Sequence, residues 1–395
     1  MKKIAIVNQR YGKEVNGGSE DYARELAHRL AEYYKVDVIT TTAREYQDWR
    51  EYYPAGTEKD GKVTVRRFPV RLRRITRLQD FLSRPVFHTK FAAWAGDRLW
   101  ITAQGPYSPG AVRFLTKHAS AYDAVIFVTY LYYLTAAGLP KLKDRAILVP
   151  TAHDEFPIHY PYYIRLLRAP AALAYLTEEE KKLVEELASV QEIPHVTAGA
   201  GVTVPSGPDV QEFRKKYGIT DPYVIYAGRV DESKGCGEMF SAFASYKKLH
   251  PGSLQLVVIG KMIMQDPGRN DIRCLGFVSE EEKYAAIAGG EILILPSRYE
   301  SLSISVLEAL GLGTPVLVNE GSEVLRAHCE KSGAGRYYKG TESFCTALAE
   351  MLENRERLEQ MGEKGRHYVQ ENYTWEKTVQ RYRGLIEDMG CKKEK

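Results

Sequence analysis

Short runs of consecutive apolar residues alternate with longer stretches of helical period along the whole chain. Ile4–Asn8, Val36–Thr41, Val63–Phe68, Asp123–Val128 and Ala146–Val149 read as strands in the first half. Between them apolar positions recur at helical spacing, first over Glu20–Tyr34. Apolar runs without polar alternation fit strands covered on both faces. Strands alternating with helices predict βαβ units around a parallel sheet.

The second half repeats the pattern. Tyr223–Ala227, Leu254–Ile259, Ile292–Leu295 and Pro315–Val318 are the strands it predicts, and Gly237–Leu249, Ser279–Ala288, Ser303–Leu312 and Thr341–Leu352 the helices. Asn354–Met389 predicts two more helices, broken near Tyr373–Trp375. Gly201–Pro208 is rich in Gly and Pro and lacks any period, which marks a linker. At 395 residues the chain exceeds what one core usually serves, so two α/β domains are expected. In open parallel sheets ligands bind beyond the carboxyl ends of the strands. That rule puts the Gly17-Gly18 loop, Gly228 and Glu300 at binding rims.

Candidate chemistry sits at those rims. Glu300 lies in the loop before the helix Ser303–Leu312, and Glu308 lies about a turn and a half inside it. The first N–H groups of a helix lack intrahelical partners and face anions with a positive dipole. A helical carboxylate also accepts from two adjacent hydroxyls such as a ribose diol, so this segment suits a sugar nucleotide. Gly228-Arg-Val-Asp-Glu-Ser-Lys-Gly235 follows a strand and precedes a helix. Arg229 can fork onto phosphate oxygens, and Lys234 supplies a mobile point charge. Asp231 and Glu232 partly screen the pair. Gly17-Gly18-Ser19-Glu20 lets backbone approach a ligand before a helix, with Ser19 as the expected N-cap. His153, beside Asp154, emerges just after a strand. No G-x-G-x-x-G is present, which argues against a nicotinamide dehydrogenase, and the glycine spacing around Lys234 is not that of a Walker loop. No D-x-D pair appears, so no metal is expected.

Composition narrows the setting. No apolar run approaches 18 residues, so no membrane span is expected. Cys236, Cys274, Cys329, Cys345 and Cys391 show no paired spacing and read as reduced thiols of a cytoplasmic protein. A net charge of +4 is too small to argue for nucleic acid. Between Arg66 and Arg84 there are seven arginines and one acid, Asp80, with apolar residues interleaved. Three readings stand for this segment: peripheral contact with an anionic membrane at its inner face, contact with a phosphorylated acceptor, or a solvated, salt-bridged surface. Tyrosines concentrate in Tyr130–Tyr133 and Tyr160–Tyr163, where core or rim packing is the expected use.

Five features occur in order: Gly-Gly-Ser-Glu at 17–20, His-Asp at 153–154, Gly-Arg-x4-Lys-Gly at 228–235, Leu-Gly-Phe-Val at 275–278, and Glu-x7-Glu at 300–308 followed by Gly-Thr-Pro-Val. In this the chain resembles glycosyltransferase family 4, the retaining nucleotide-sugar transferases of GT-B fold. The resemblance implies two Rossmann-like doubly wound domains facing a central cleft. Residues 1–202 would bind the acceptor and residues 203–374 the nucleotide-sugar donor, with the helix 375–389 packing back on the first domain. It implies that Glu308 holds the ribose, Glu300 the donor sugar, and Arg229 and Lys234 the diphosphate. Gly17 and Gly18 would approach the diphosphate through their backbone, and the backbone at Val278 would meet the base. The N–H groups near Ser303 and Ile304 would contact sugar or phosphate, and His153 the sugar near its reacting carbon. Ser303 departs from the pattern, since glycine is frequent there. The implied reaction is metal- and cofactor-independent transfer of a hexosyl group, with retention, to a hydroxyl of a glycan, glycolipid or small molecule, as in polysaccharide biosynthesis. The alternatives are a nucleotide-sugar epimerase of the same fold and a non-catalytic nucleotide-sugar-binding protein.

Overall fold

A computed structural model describes residues 1–15, 17–74 and 95–391. Arg77, Asp80 and Arg84 of the basic segment lie outside them. The chain divides into two compact units: residues 1–199 with 378–395, and residues 200–377. The first change of unit falls at Gly199/Ala200, against 202/203 in the sequence analysis, and the second inside the last helix, Trp375–Cys391.

The first unit is built on an eight-stranded sheet. Its strands are β1 (Lys3–Val7), β2 (Lys35–Thr41), β3 (Gly56–Asp60), β4 (Val63–Phe68), β5 (Ala124–Val128), β6 (Ala146–Val149), β7 (Ala172–Tyr175) and β8 (His195–Thr197), in the order β3-β4-β2-β1-β5-β6-β7-β8. All pairs are parallel except β3 with β4. The interior strands β1, β5, β6 and β7 are buried almost end to end, as expected of strands covered on both faces. Strand order reverses between β1 and β5. Three strands lie beyond those the hydrophobic pattern marks. β3 (Gly-Thr-Glu-Lys-Asp) is polar and mostly exposed, so it carries no hydrophobic signal. β7 and β8 are only four and three residues long.

The second unit holds a six-stranded sheet of β9 (Tyr223–Ala227), β10 (Gln255–Ile259), β11 (Ile272–Gly276), β12 (Leu293–Leu295), β13 (Val316–Asn319) and β14 (Gly335–Tyr338). The order is β11-β10-β9-β12-β13-β14, all parallel. Numbered within the unit this is 3-2-1-4-5-6, the doubly wound order, with its switch point between β9 and β12. β11 and β14 are edge strands with half-exposed faces, and neither belongs to the strands expected from the pattern. Glu280–Ala288 begins with a full capping box of Ser279 and Glu282. The break near Tyr373 lies between Arg355–Asn372 and Trp375–Cys391.

No helix among the described residues is long and apolar enough to cross a membrane. Several arginines of the basic segment are engaged. Arg66 bonds Asp37 at 3.0 Å, Arg67 pairs with Glu58 at 2.7 Å, and Arg74 lies over the rings of Tyr46 and Trp49. Arg71, Leu72 and Arg73 are exposed. The tyrosine clusters serve packing: Tyr130 and Tyr163 are buried edge to face, 5.0 Å apart.

Candidate functional site

The second unit gathers most of the expected residues at its switch point. Gly228 follows β9, and the loop runs on through Arg229 and Asp231 into a short turn at Glu232–Lys234. Asp231 caps that turn by accepting from the Lys234 N–H at 2.9 Å, from Ser233 Oγ at 2.6 Å, and from Arg229 Nε. Burial raises the Asp231 carboxyl, but Ser233, Arg229 and the Lys234 N–H outweigh it and hold it below its ordinary value. Asp231 therefore stays ionised and fixes the Arg229 side chain. Gly235 has φ +76°, and a Cβ there would stand 2.8 Å from the Pro296 carbonyl oxygen. Only glycine lets this loop lie against the end of β12.

Across the switch point, Lys234 Nζ lies 2.7 Å from Glu300 Oε1. This contact joins the loop after β9 to the loop after β12, so Lys234 and Glu300 share one site. Beyond Glu300, Ser303 takes φ +66° and is the N-cap of Ile304–Leu312, with no side-chain bond to the helix start. A left-handed serine is strained, which is a physical reason for glycine to suit this position. The strain has a visible support. His328, 2% exposed, has Nε2 2.8 Å from the Leu302 carbonyl oxygen and Nδ1 3.0 Å from the Tyr368 hydroxyl. A carbonyl oxygen only accepts, so Nε2 carries the proton.

Glu308 is 6% exposed, and its Oε1 is 2.6 Å from Lys283 Nζ and 3.4 Å from the Tyr284 hydroxyl. Burial pushes the Glu308 carboxyl up, and Lys283 opposes the rise. Lys283 stands on Glu280–Ala288, just after Val278, so the loop expected to meet a base and the acid expected to hold a ribose are tied together. Phe277, beside Val278, is 70% exposed. Lys283 and His328 belong to no motif, and the sequence offers no local signal for either.

In the first unit, Gly17 and Gly18 follow β1, and His153 follows β6. The N-cap of Gly18–Leu30 is Gly17, not Ser19. The reason is Glu20, which is 5% exposed and folds back to accept from Gln9 Nε2 at 2.7 Å, Arg10 Nε at 3.0 Å and Ser19 Oγ at 2.8 Å. A Cβ on Gly17 would collide with that carboxylate. Gly17 is thus required by an internal ion pair, whatever else approaches it. His153 Nδ1 lies 3.5 Å from Glu155 Oε1, which also accepts from the Tyr130 hydroxyl at 2.7 Å. Cys236, Cys274, Cys329 and Cys345 are free thiols, and no cluster of three or more potential metal ligands occurs among the described residues.

Residues 209–368 match the family model described as Glycosyl transferases group 1. An uncharacterized glycosyltransferase of Methanocaldococcus jannaschii is 24% identical over 98% of this chain and 100% of its own. Among solved structures, sucrose-phosphate synthase of Thermosynechococcus elongatus aligns with a TM-score of 0.73 at 16% identity, covering 99% of this chain and 100% of that one. HepE of Anabaena, in complex with UDP and glucose, aligns with a TM-score of 0.71 at 14% identity over 98% of this chain and 100% of its own. The fold is therefore GT-B, two Rossmann-like α/β domains, and residues 209–368 are similar to the glycosyl transferases group 1 family.

Proposed function

We propose that the protein is a retaining, metal-independent glycosyltransferase of family 4 that moves a hexosyl group from a nucleoside diphosphate sugar to a hydroxyl. The observation that carries this is the Lys234–Glu300 contact across the switch point, beside an uncapped helix start. It sets a cation, a carboxylate and free N–H groups within one loop cluster. The similarity of the chain to glycosyltransferases supports the reaction class, and the UDP and glucose bound by HepE support a nucleotide-sugar ligand.

The residues then divide the work. Arg229 and Lys234 neutralise the diphosphate, each charge-assisted bond contributing about 1.5–3 kcal/mol. Lys234 swings between Glu300 and phosphate, which frees the Glu300 carboxylate to accept from sugar hydroxyls. Glu308 accepts from the ribose diol, displacing Lys283. The N–H groups at Ser303 and Ile304 face phosphate or sugar, and the Val278 backbone meets the base. Gly17 and Gly18 serve the diphosphate, and His153 the sugar near its anomeric carbon. The bond from that carbon to the diphosphate breaks while a bond to the acceptor oxygen forms on the same face. The acceptor proton passes to a diphosphate oxygen. Charge building on the leaving group is stabilised by fixed cations and oriented amides. In this reading residues 203–374 bind the donor and residues 1–202 the acceptor, a glycan, glycolipid or small molecule.

Screening UDP-, GDP-, ADP- and dTDP-sugars by thermal shift identifies the donor, because a ligand at about 100 times its dissociation constant stabilises by about 2.7 kcal/mol. NMR of the product then gives the anomer. An inverted product refutes retention, and a rate abolished by EDTA refutes metal independence.

A further inference from the structure

Glu180 is a buried acid that no motif contains and that the proposed reaction does not use. It stands in the first turn of Glu178–Ala188, whose N-cap is Thr177, and is 1% exposed. At this position a glutamate ordinarily turns back to the N-cap backbone. Here one carboxylate oxygen instead accepts from the Ala152 N–H at 2.6 Å and the other from the Leu176 N–H at 2.5 Å. A single side chain therefore clamps the loop after β6 to the loop after β7. Ala152 directly precedes His153 and directly follows Thr151, which is held at φ +51°. A β-branched residue in the left-handed region is strained and persists only where its surroundings over-determine it. The neighbouring loop shares the burden: Thr129, at φ +67°, donates its N–H to the Val149 carbonyl, and Tyr130 donates to that of Pro150.

We infer that Glu180 is a positioning residue, which in its ionised form holds the Ala152 N–H and so aims the His153 imidazole. This rests on the role of His153 in the proposed transfer. Two N–H donors on two oxygens need a carboxylate. Protonation turns one of those oxygens into a hydroxyl, a weaker acceptor, and that contact loosens. Burial pushes the Glu180 carboxyl up to about 8, against backbone hydrogen bonds from Leu176, Ala152 and Thr177. The titratable groups that feel its charge are Tyr22 and Tyr382, hydrogen-bonded to each other at 2.7 Å, and Tyr175, and all three phenols are raised by burial first. Among the described residues Glu180 has no ion-pair partner. Glu155 and Tyr130 stand near His153, and the adjacent Asp154 is paired with His159. The clamp therefore closes as pH rises through the neutral range.

The test follows the nine histidines by NMR after labelling at Cε1, with His153→Ala assigning the signal. In the wild-type chain the His153 signal is expected to show an inflection close to pH 8. In Glu180→Gln, which cannot ionise, that inflection disappears. With UDP-glucose as the donor probe and UDP release as the readout, the wild-type kcat rises about tenfold between about pH 6.5 and 8.5. The Glu180→Gln variant loses that rise and at least about tenfold in kcat, with KM for UDP-glucose kept within about twofold. Identical His153 titrations in wild type and folded Glu180→Gln overturn the inference. If Glu180→Gln does not fold, a wild-type His153 signal without the inflection overturns it alone. A wild-type chain that releases no nucleoside diphosphate from any of the UDP-, GDP-, ADP- and dTDP-sugars sinks the proposed transfer instead, and the imidazole titration still decides the clamp.

Discussion

The two units use charge in opposite ways. In the second, the acids at the switch point pair with lysines that keep partial access to water: Lys234 and Lys283 are each 30% exposed in their side chains. Such half-accessible ammonium groups can turn to a ligand while the acids stay in place. In the first unit the partners of the acids are themselves buried. Glu20 takes the buried Arg10, and Glu180 takes two backbone N–H groups. These cannot be exchanged without opening the structure. The difference separates charges that bind from charges that shape the backbone around a binding loop.

The largest expected effect is on pH-dependent stability. Glu180 titrates near 8 when folded and near its ordinary value when unfolded, so the folded chain holds the extra proton between those limits. Stability is fully present below the ordinary value and falls as pH rises through about 8, by up to about 5 kcal/mol. Melting followed across this range should show the fall, and Glu180→Gln should flatten it. Next, Glu20→Ala strands the buried Arg10 guanidinium and should cost about 3–5 kcal/mol in urea unfolding. In the second unit, Lys234→Ala should lower kcat by about 10²–10³ while moving unfolding by no more than about 1 kcal/mol. An equal loss of stability there would erase the contrast between the units. Glu308→Gln should weaken binding of the nucleoside diphosphate picked out by the thermal-shift screen about ten- to a hundredfold, as measured by calorimetry, from one lost charge-assisted bond. The smallest effect concerns the exposed pair Arg71 and Arg73. Reversing both to Glu should reduce co-sedimentation with anionic liposomes by about 1 kcal/mol for each charge. Unchanged binding would leave Arg71 and Arg73 solvated charges, unlike Arg66, Arg67 and Arg74, which are held by partners within the fold.

The local pattern carried far in some places and not in others. β6 and β9 run over the residues that the apolar runs mark, because a strand buried on both faces writes itself as a continuous run. β3, β11 and β14 did not announce themselves. Edge strands are short or half-solvated, and their stability comes from ladder bonds to a partner rather than from their own composition. Ser19 reads as an N-cap because of its residue type. Gly17 takes the place because Glu20, three residues on, is drawn back by Gln9 and Arg10.

The sequence by itself determined the alternation of strand and helix, the division into two α/β domains, and the positions at strand ends where Arg229, Lys234, Glu300 and Glu308 stand. Each of these depends on the local order of apolar, glycine and charged residues. Only the tertiary structure decided that Lys234 meets Glu300, that Lys283 meets Glu308, that His328 supports Ser303, and that Glu180 reaches the backbone beside His153. Those partners lie 25 to 66 residues apart. Burial and hydrogen-bond reach, which give each group its chemistry, exist only once the sheets have brought distant loops to one edge.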